Sequence, residues 1–177
     1  GIATLGSPLS ANALPLRTWN QTVDAFLGVP GNWTPGSVPT TSDSALVTAA
    51  ASGKRVILDG DYSVGPFAIS GTGAILDLAG HNFTSGSFLN SGIARVPTGV
   101  STISGVYHSL ASGQLNVENG AVLAPLASWQ NDGHMFIHST AVANVSELRL
   151  NNYVTLGGAG DLLLNDVANA QITTPSG

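Results

Sequence analysis

Hydrophobic and polar positions divide the chain into two regimes. In residues 16–27 (LRTWNQTVDAFL), Leu16, Trp19, Val23, Phe26 and Leu27 recur at three- and four-residue spacing. That period predicts a helix, stopped by Pro30 and Gly31. Residues 41–52 (TSDSALVTAAAS) predict a second short helix. Ser42 or Asp43 would cap it, Ala fills its interior, Gly53 ends it, and Lys54 and Arg55 sit near its C-terminal dipole. Between them, residues 31–41 read as an extended arm, and the first 41 residues hold five of the nine prolines. From Val56 onward the helical period vanishes. Short apolar runs, such as VILDGDYSV, FAI, AILDL, LNVENGAVL, HMFI, LRLNNYVTL, DLLL and AQI, alternate with Gly, Asn, Asp and Ser. Each run predicts a strand.

The runs also repeat. Segments 67–80, 114–128 and 154–172 share a frame of a short strand, a Gly-containing turn and a second strand. Full turns of about 20 residues or more fit stacked solenoid coils. The reading is a mainly β fold: a right-handed parallel β-helix preceded by an extended arm with one or two short helices. Its parts are an arm at 1–41, a capping helix at 42–55 and a solenoid at 56–177. The competing architecture is an antiparallel sandwich, which the hairpin-type dipeptides Asn119-Gly120, Asp59-Gly60 and Asp132-Gly133 would suit.

Composition narrows function. Charged residues make up 8% of the chain, against roughly 25% in average soluble domains. The 22 glycines and the polar uncharged turns fit coil corners. With five basic and ten acidic residues, the chain lacks the clustered cations of a nucleic-acid or polybasic membrane surface. The absence of Cys excludes disulfides, thiolate zinc sites and a Cys nucleophile. No apolar run approaches the ~20 residues that cross a bilayer as a helix, and residues 1–16 do not read as a signal peptide.

Candidate chemistry is sparse. Asp59 and Asp61 are the only closely spaced acids, and they flank Gly60 as turn residues do. Glycoside hydrolysis needs two acids set about 5–10 Å apart across the scissile bond. His134 and His138 would share one face of a strand but stand roughly 13 Å apart, too far for one metal. No nucleophile elbow occurs, and Gly71-Thr72-Gly73 and Gly157-Gly158-Ala159-Gly160 precede strands, not helices. No catalytic residue, metal or cofactor is assigned. Trp129, beside Asn131, Asp132 and His134 in ASWQNDGH, is the candidate carbohydrate-binding cluster. An amphipathic ring stacks on sugar faces, and amide and carboxylate groups bond hydroxyls. The alternatives for Trp129 are a cover over one end of the core or an intersubunit contact.

Residues 45–64 (ALVTAAASGKRVILDGDYSV) carry a resemblance. Gly53, Lys54, Arg55, Val56, Leu58, Gly60, Tyr62 and Val64 are similar to the strand pair that opens the β-helix of phage tailspikes and related pectate-lyase-like proteins. Residues 68–80 (AISGTGAILDLAG) resemble the next coil, and 11–26 resemble the linker to a virion anchor. The stretches 115–123 and 134–172 are similar to β-solenoid passenger repeats of bacterial adhesins. The resemblance implies a structural tail-spike or tail-fibre component in the virion or at a cell surface. It implies a homotrimer, attachment to other virion proteins through residues 1–41, and host surface polysaccharide as partner. Its alternatives are a polysaccharide-degrading tailspike enzyme and an adhesin passenger. The strand before ITTPSG (172–177) predicts an open coil end, to be covered by another chain or by residues beyond 177.

Overall fold

The computed structural model describes residues 13–139, 144–151, 153–165 and 169–174. Half of the chain is strand, wound into a parallel β-solenoid of about five turns. The strands are β1 (Leu16–Trp19), β2 (Ala25–Phe26), β3 (Trp33–Thr34), β4 (Ser44–Val47), β5 (Arg55–Ile57), β6 (Tyr62–Val64) and β7 (Phe67–Ile69). They continue with β8 (Ile75–Asp77), β9 (Phe83–Asn90), β10 (Ile93–Val96), β11 (Val100–Ser109), β12 (Gln114–Val117) and β13 (Val122–Pro125). The last are β14 (Trp129–Asn131), β15 (His134–His138), β16 (Ser146–Arg149), β17 (Leu156–Gly157), β18 (Asp161–Asn165) and β19 (Ala170–Thr173).

Each coil has three sides. One is a flat seven-stranded sheet in the order β18-β15-β12-β10-β8-β5-β2. The other two are limbs of a single bent sheet, because β9 and β11 run continuously around the corner between them. The first half of β9 pairs with β6, and its second half with β7. Likewise β11 meets β13 with Val100–Ile103 and β14 with Tyr107–Ser109. The bend falls where the register shifts between Ser104 and Val106. Gly105 occupies it at φ +99°, and a β-carbon there would lie 1.7 Å from the Ser85 carbonyl oxygen.

The register stacks identical positions. Val56, Leu76, Ala94, Leu115, Met135 and Leu162 form one inward column. Its members from Val56 to Met135 are fully buried. On the second limb, Phe67, Phe88, Tyr107 and Trp129 are successive register partners. Their ring centroids lie 5.3, 5.1 and 4.8 Å apart. Tilted aromatic pairs of this kind add about 0.5–1.5 kcal/mol each beyond the area they bury. A polar column of Asn90, Ser109 and Asn131 runs beside them, in register with Ile69. Burial pushes the Tyr107 hydroxyl up to about 12.

The structure corrects both predicted helices and the extended arm. Residues 16–27 form β1, a turn and β2, because Leu16, Val23 and Phe26 are half exposed and only Trp19 and Leu27 enter the core. β1 pairs with β4 in the bent sheet and β2 with β5 in the flat one, so these residues are the first coil. Within 42–55, Ser44–Val47 is a strand, and helical structure is one 3₁₀ turn, Ala49–Ala51, capped by the Thr48 hydroxyl on the Ala50 N–H. Asp43 caps no helix. It accepts from the Thr40 N–H and hydroxyl and from Arg17 Nε at 2.9 Å, and these contacts hold its carboxyl below the usual range. Residues 31–34 turn back so that β3 pairs antiparallel with β1. Trp33 thereby seals the N-terminal end of the core, buried beside Trp19, with its indole N–H donating to the Leu27 carbonyl.

The far end differs. Leu164 and Ile172 occupy register positions that are buried in the preceding coil, at Ile137 and Leu148, yet are 52% and 42% exposed. On the flat sheet, charges form a ladder across coils. Arg55 lies 2.9 Å from Asp24 and 3.7 Å from Asp77, while Arg95 lies 3.0 Å from Asp77 and 3.6 Å from Glu118.

Candidate functional site

Asp132 and Gly133 turn the chain from the bent sheet into the flat one, between β14 and β15. Strand alternation decides which side chains reach the surface there. Trp129 and Asn131 point inward and Gln130 outward, giving a buried–exposed–buried pattern. The expected sugar platform at Trp129 is therefore not presented to solvent. The ring is 3% exposed and lies against Tyr107, the first of the alternatives in kind: it covers core. Asn131 is also buried, and its amide donates to the Asp161 carbonyl at 2.9 Å, tying its coil to the next. Of the four predicted residues, Asp132 and His134 remain on the surface.

Both bind histidine or aspartate partners from neighbouring coils. Asp132 accepts from the Ala159 N–H at 2.9 Å and from Gln130 Nε2 at 2.8 Å, and lies 2.7 Å from His108 Nε2. These contacts, the Ala159 N–H foremost, hold its carboxyl at about 2. His134 Nδ1 lies 2.6 Å from Asp161 Oδ1. Such carboxylate–imidazole pairs orient the ring and fix which nitrogen carries the proton. Each links residues 24 or 27 positions apart, which adjoin only because the coil returns the chain to the same corner.

The sequence reading missed Phe136. On β15, Met135 and Ile137 are fully buried, and His134, Phe136 and His138 form the outward row. The Phe136 ring lies 6.1 Å from His134 at 35° and 5.6 Å from His138 at 22°, so the last two are stacked. The signal was present as aromatic rings at i, i+2 and i+4 of HMFIH. Gln114 and Asn116 of β12 flank this row on one side, and Asp161 and Leu163 of β18 on the other. Among the described residues no three His, Cys, Asp or Glu side chains group as a metal site.

The paired acids 59 and 61 serve the coil. Asp59 accepts from the Gly28 N–H and the Tyr62 hydroxyl, and Asp61 accepts from the Asn82 N–H and Nδ2. Both carboxyls are held below the usual range. On the second limb of the bent sheet, an apolar groove of about 270 Å3 is lined by Leu16, Leu46, Pro66, Phe67, Ala68 and Leu89. It adjoins the corner through register: Leu46, Ala68, Leu89, His108 and Gln130 form one outward row that turns from apolar to polar. Compared with known proteins, the chain matches no protein-family model, no curated protein and no solved structure.

Proposed function

We propose that the chain is a structural β-solenoid segment of a phage or phage-like tail spike or fibre, in the virion or at a cell surface, which assembles as a homotrimer and carries surface for host glycan. The observation that carries this reading is the apolar groove. The flat sheet is laced with ion pairs, whereas the groove residues Leu16, Leu46, Ala68 and Leu89 bear no charge, and Leu16 and Leu89 are 53% and 41% exposed. A face of this kind favours contact with protein over water. The groove crosses β1, β4, β7 and β9, which we read as a seam between parallel copies, with the polar corner beyond it as the surface for hydroxyl-bearing ligands. Attachment to other virion proteins is proposed for residues 1–41, whose strands β1, β2 and β3 are built into the two sheets.

Light scattering coupled to gel filtration tests the assembly. The expected mass is three times the 17.9 kDa chain. Leu46→Asp and Leu89→Asp place charge in the groove without touching the inward columns, and each is expected to give monomers with an unchanged far-ultraviolet circular dichroism spectrum. A wild-type chain that stays monomeric at micromolar concentration overturns the reading.

A further inference from the structure

We propose that the outward row His134–Phe136–His138 on β15 is a stacking platform for a neutral saccharide chain, an inference that rests on the glycan-attachment part of the reading above. Alternate residues of a strand on one face recur about every 6.6–6.8 Å. Here they are all rings, with centroids 6.1 and 5.6 Å apart and planes tilted by 35° and 22°. Near-parallel rings at these separations overlap rather than lie side by side, so the row is a tilted, overlapping strip along the strand, with a repeat comparable to the length of one pyranose unit. The core does not require it, because Met135 and Ile137 fill the inward columns and Phe136 contributes nothing to them. Leu163, the register partner of Phe136 in the next coil and 43% exposed, widens the apolar floor.

The flanks carry hydroxyl-bonding groups. Gln114 is the register partner of His134, and Asn116 that of Phe136. Asp161, paired with His134, supplies carboxylate acceptors on the opposite side. The charge balance selects the ligand. Neither β12 nor β18 holds Lys or Arg, and Arg95, on the strand beyond β12, is already engaged by Asp77 and Glu118. An anionic sugar would meet Asp161 and a chain of net charge −5 with no cation at the platform. A neutral one keeps both the ring stacking and the hydroxyl bonds.

The test is a printed array of neutral and acidic polysaccharides, followed by titration calorimetry with the best neutral oligosaccharide on the array. Maltohexaose and oligogalacturonate serve as fixed neutral and anionic probes. The expected result is binding confined to neutral glycans, weakened at least tenfold by Phe136→Ala and retained by Phe136→Tyr, with the His134 and His138 ring signals shifting on addition of ligand. Circular dichroism verifies that each variant is folded, and Leu126→Ala, an exposed apolar residue on another side, is expected to leave binding unchanged. Neutral binding that survives Phe136→Ala overturns the platform while leaving glycan attachment standing elsewhere. Binding only of acidic glycans, or of none, overturns the platform outright. The trimer is read separately by light scattering, so failure of the shaft is not confused with failure of this site.

Discussion

Trp33 stands edge-on to Trp19, with ring centroids 5.1 Å apart and planes at 79°. The two rings close the N-terminal end of the solenoid, which would otherwise expose the first coil's interior and the β1 edge. Solenoids need such a terminal cover for solubility. Trp33→Ala is expected to cost about 3–5 kcal/mol, the range for truncating a buried aromatic side chain. The urea midpoint measures it, and exposed core should appear as new dye binding. An unchanged midpoint would show that the cap does not stabilise the stack.

Gly105 sets the corner of the bent sheet. Its φ of +99° disfavours any side chain, and a β-carbon would collide with the Ser85 carbonyl 1.7 Å away. Gly105→Ala is expected to destabilise by at least about 2 kcal/mol. Gly31→Ala, where an added β-carbon meets nothing within 4 Å, should stay within about 0.5 kcal/mol. Equal effects in thermal unfolding would mean that the corner relaxes.

Asp77 is 2% exposed and holds Arg55 at 3.7 Å, Arg95 at 3.0 Å and the Ala79 N–H at 3.1 Å. Asp77→Ala leaves two arginines facing each other across adjacent coils. A fully buried pair would lose ~3–5 kcal/mol, and the partly exposed arginine heads reduce this to about 2–3 kcal/mol. Asp77→Asn keeps an acceptor for Ala79 and should cost less. Chemical unfolding of the two variants reads the order directly, and the reverse order would sink this account of the ladder.

Asp132 ties stability to acid. Its carboxyl is held at about 2 in the folded chain against 3.8 in the unfolded one. The folded value is depressed, so the contribution is complete above pH 3.8 and is lost as pH falls towards 2. Between about pH 4 and 2 the wild-type thermal midpoint should fall more steeply than that of Asp132→Asn. Parallel curves would remove the role given to the Ala159, His108 and Gln130 contacts.

The legible part of the sequence was the part governed by alternation. From Val56 on, short runs bounded by Gly, Asn and Asp gave strands, and their repetition gave coils. The reading failed where coil stacking overrode local period. Leu16, Val23 and Phe26 mimic a helical stripe, but the partner strands β4 and β5 bind this backbone in extended form, and the apolar positions are left half exposed. The Ala-rich stretch at 45–52 has high helix propensity, yet Ala45 must lie opposite Phe67 in the sheet. At the candidate site, the polar neighbours of Trp129 suggested a loop. Strand pairing with Tyr107 instead turns the indole inward and brings out Phe136 seven residues later. The pairs His108–Asp132 and His134–Asp161 could be located only once the coil period was known, since no local motif joins them.

The two ends of the stack give unfolding a direction. Among the described residues, every interior coil is paired above and below, whereas β18 and β19, which carry Leu164 and Ile172, are paired on one side. In a nearest-neighbour stack the singly held unit opens first, and its loss exposes the next. Within the described coils, the amides of β18 and β19 should therefore exchange with solvent sooner than those of the interior strands, as the free tail of a zipper parts before its middle.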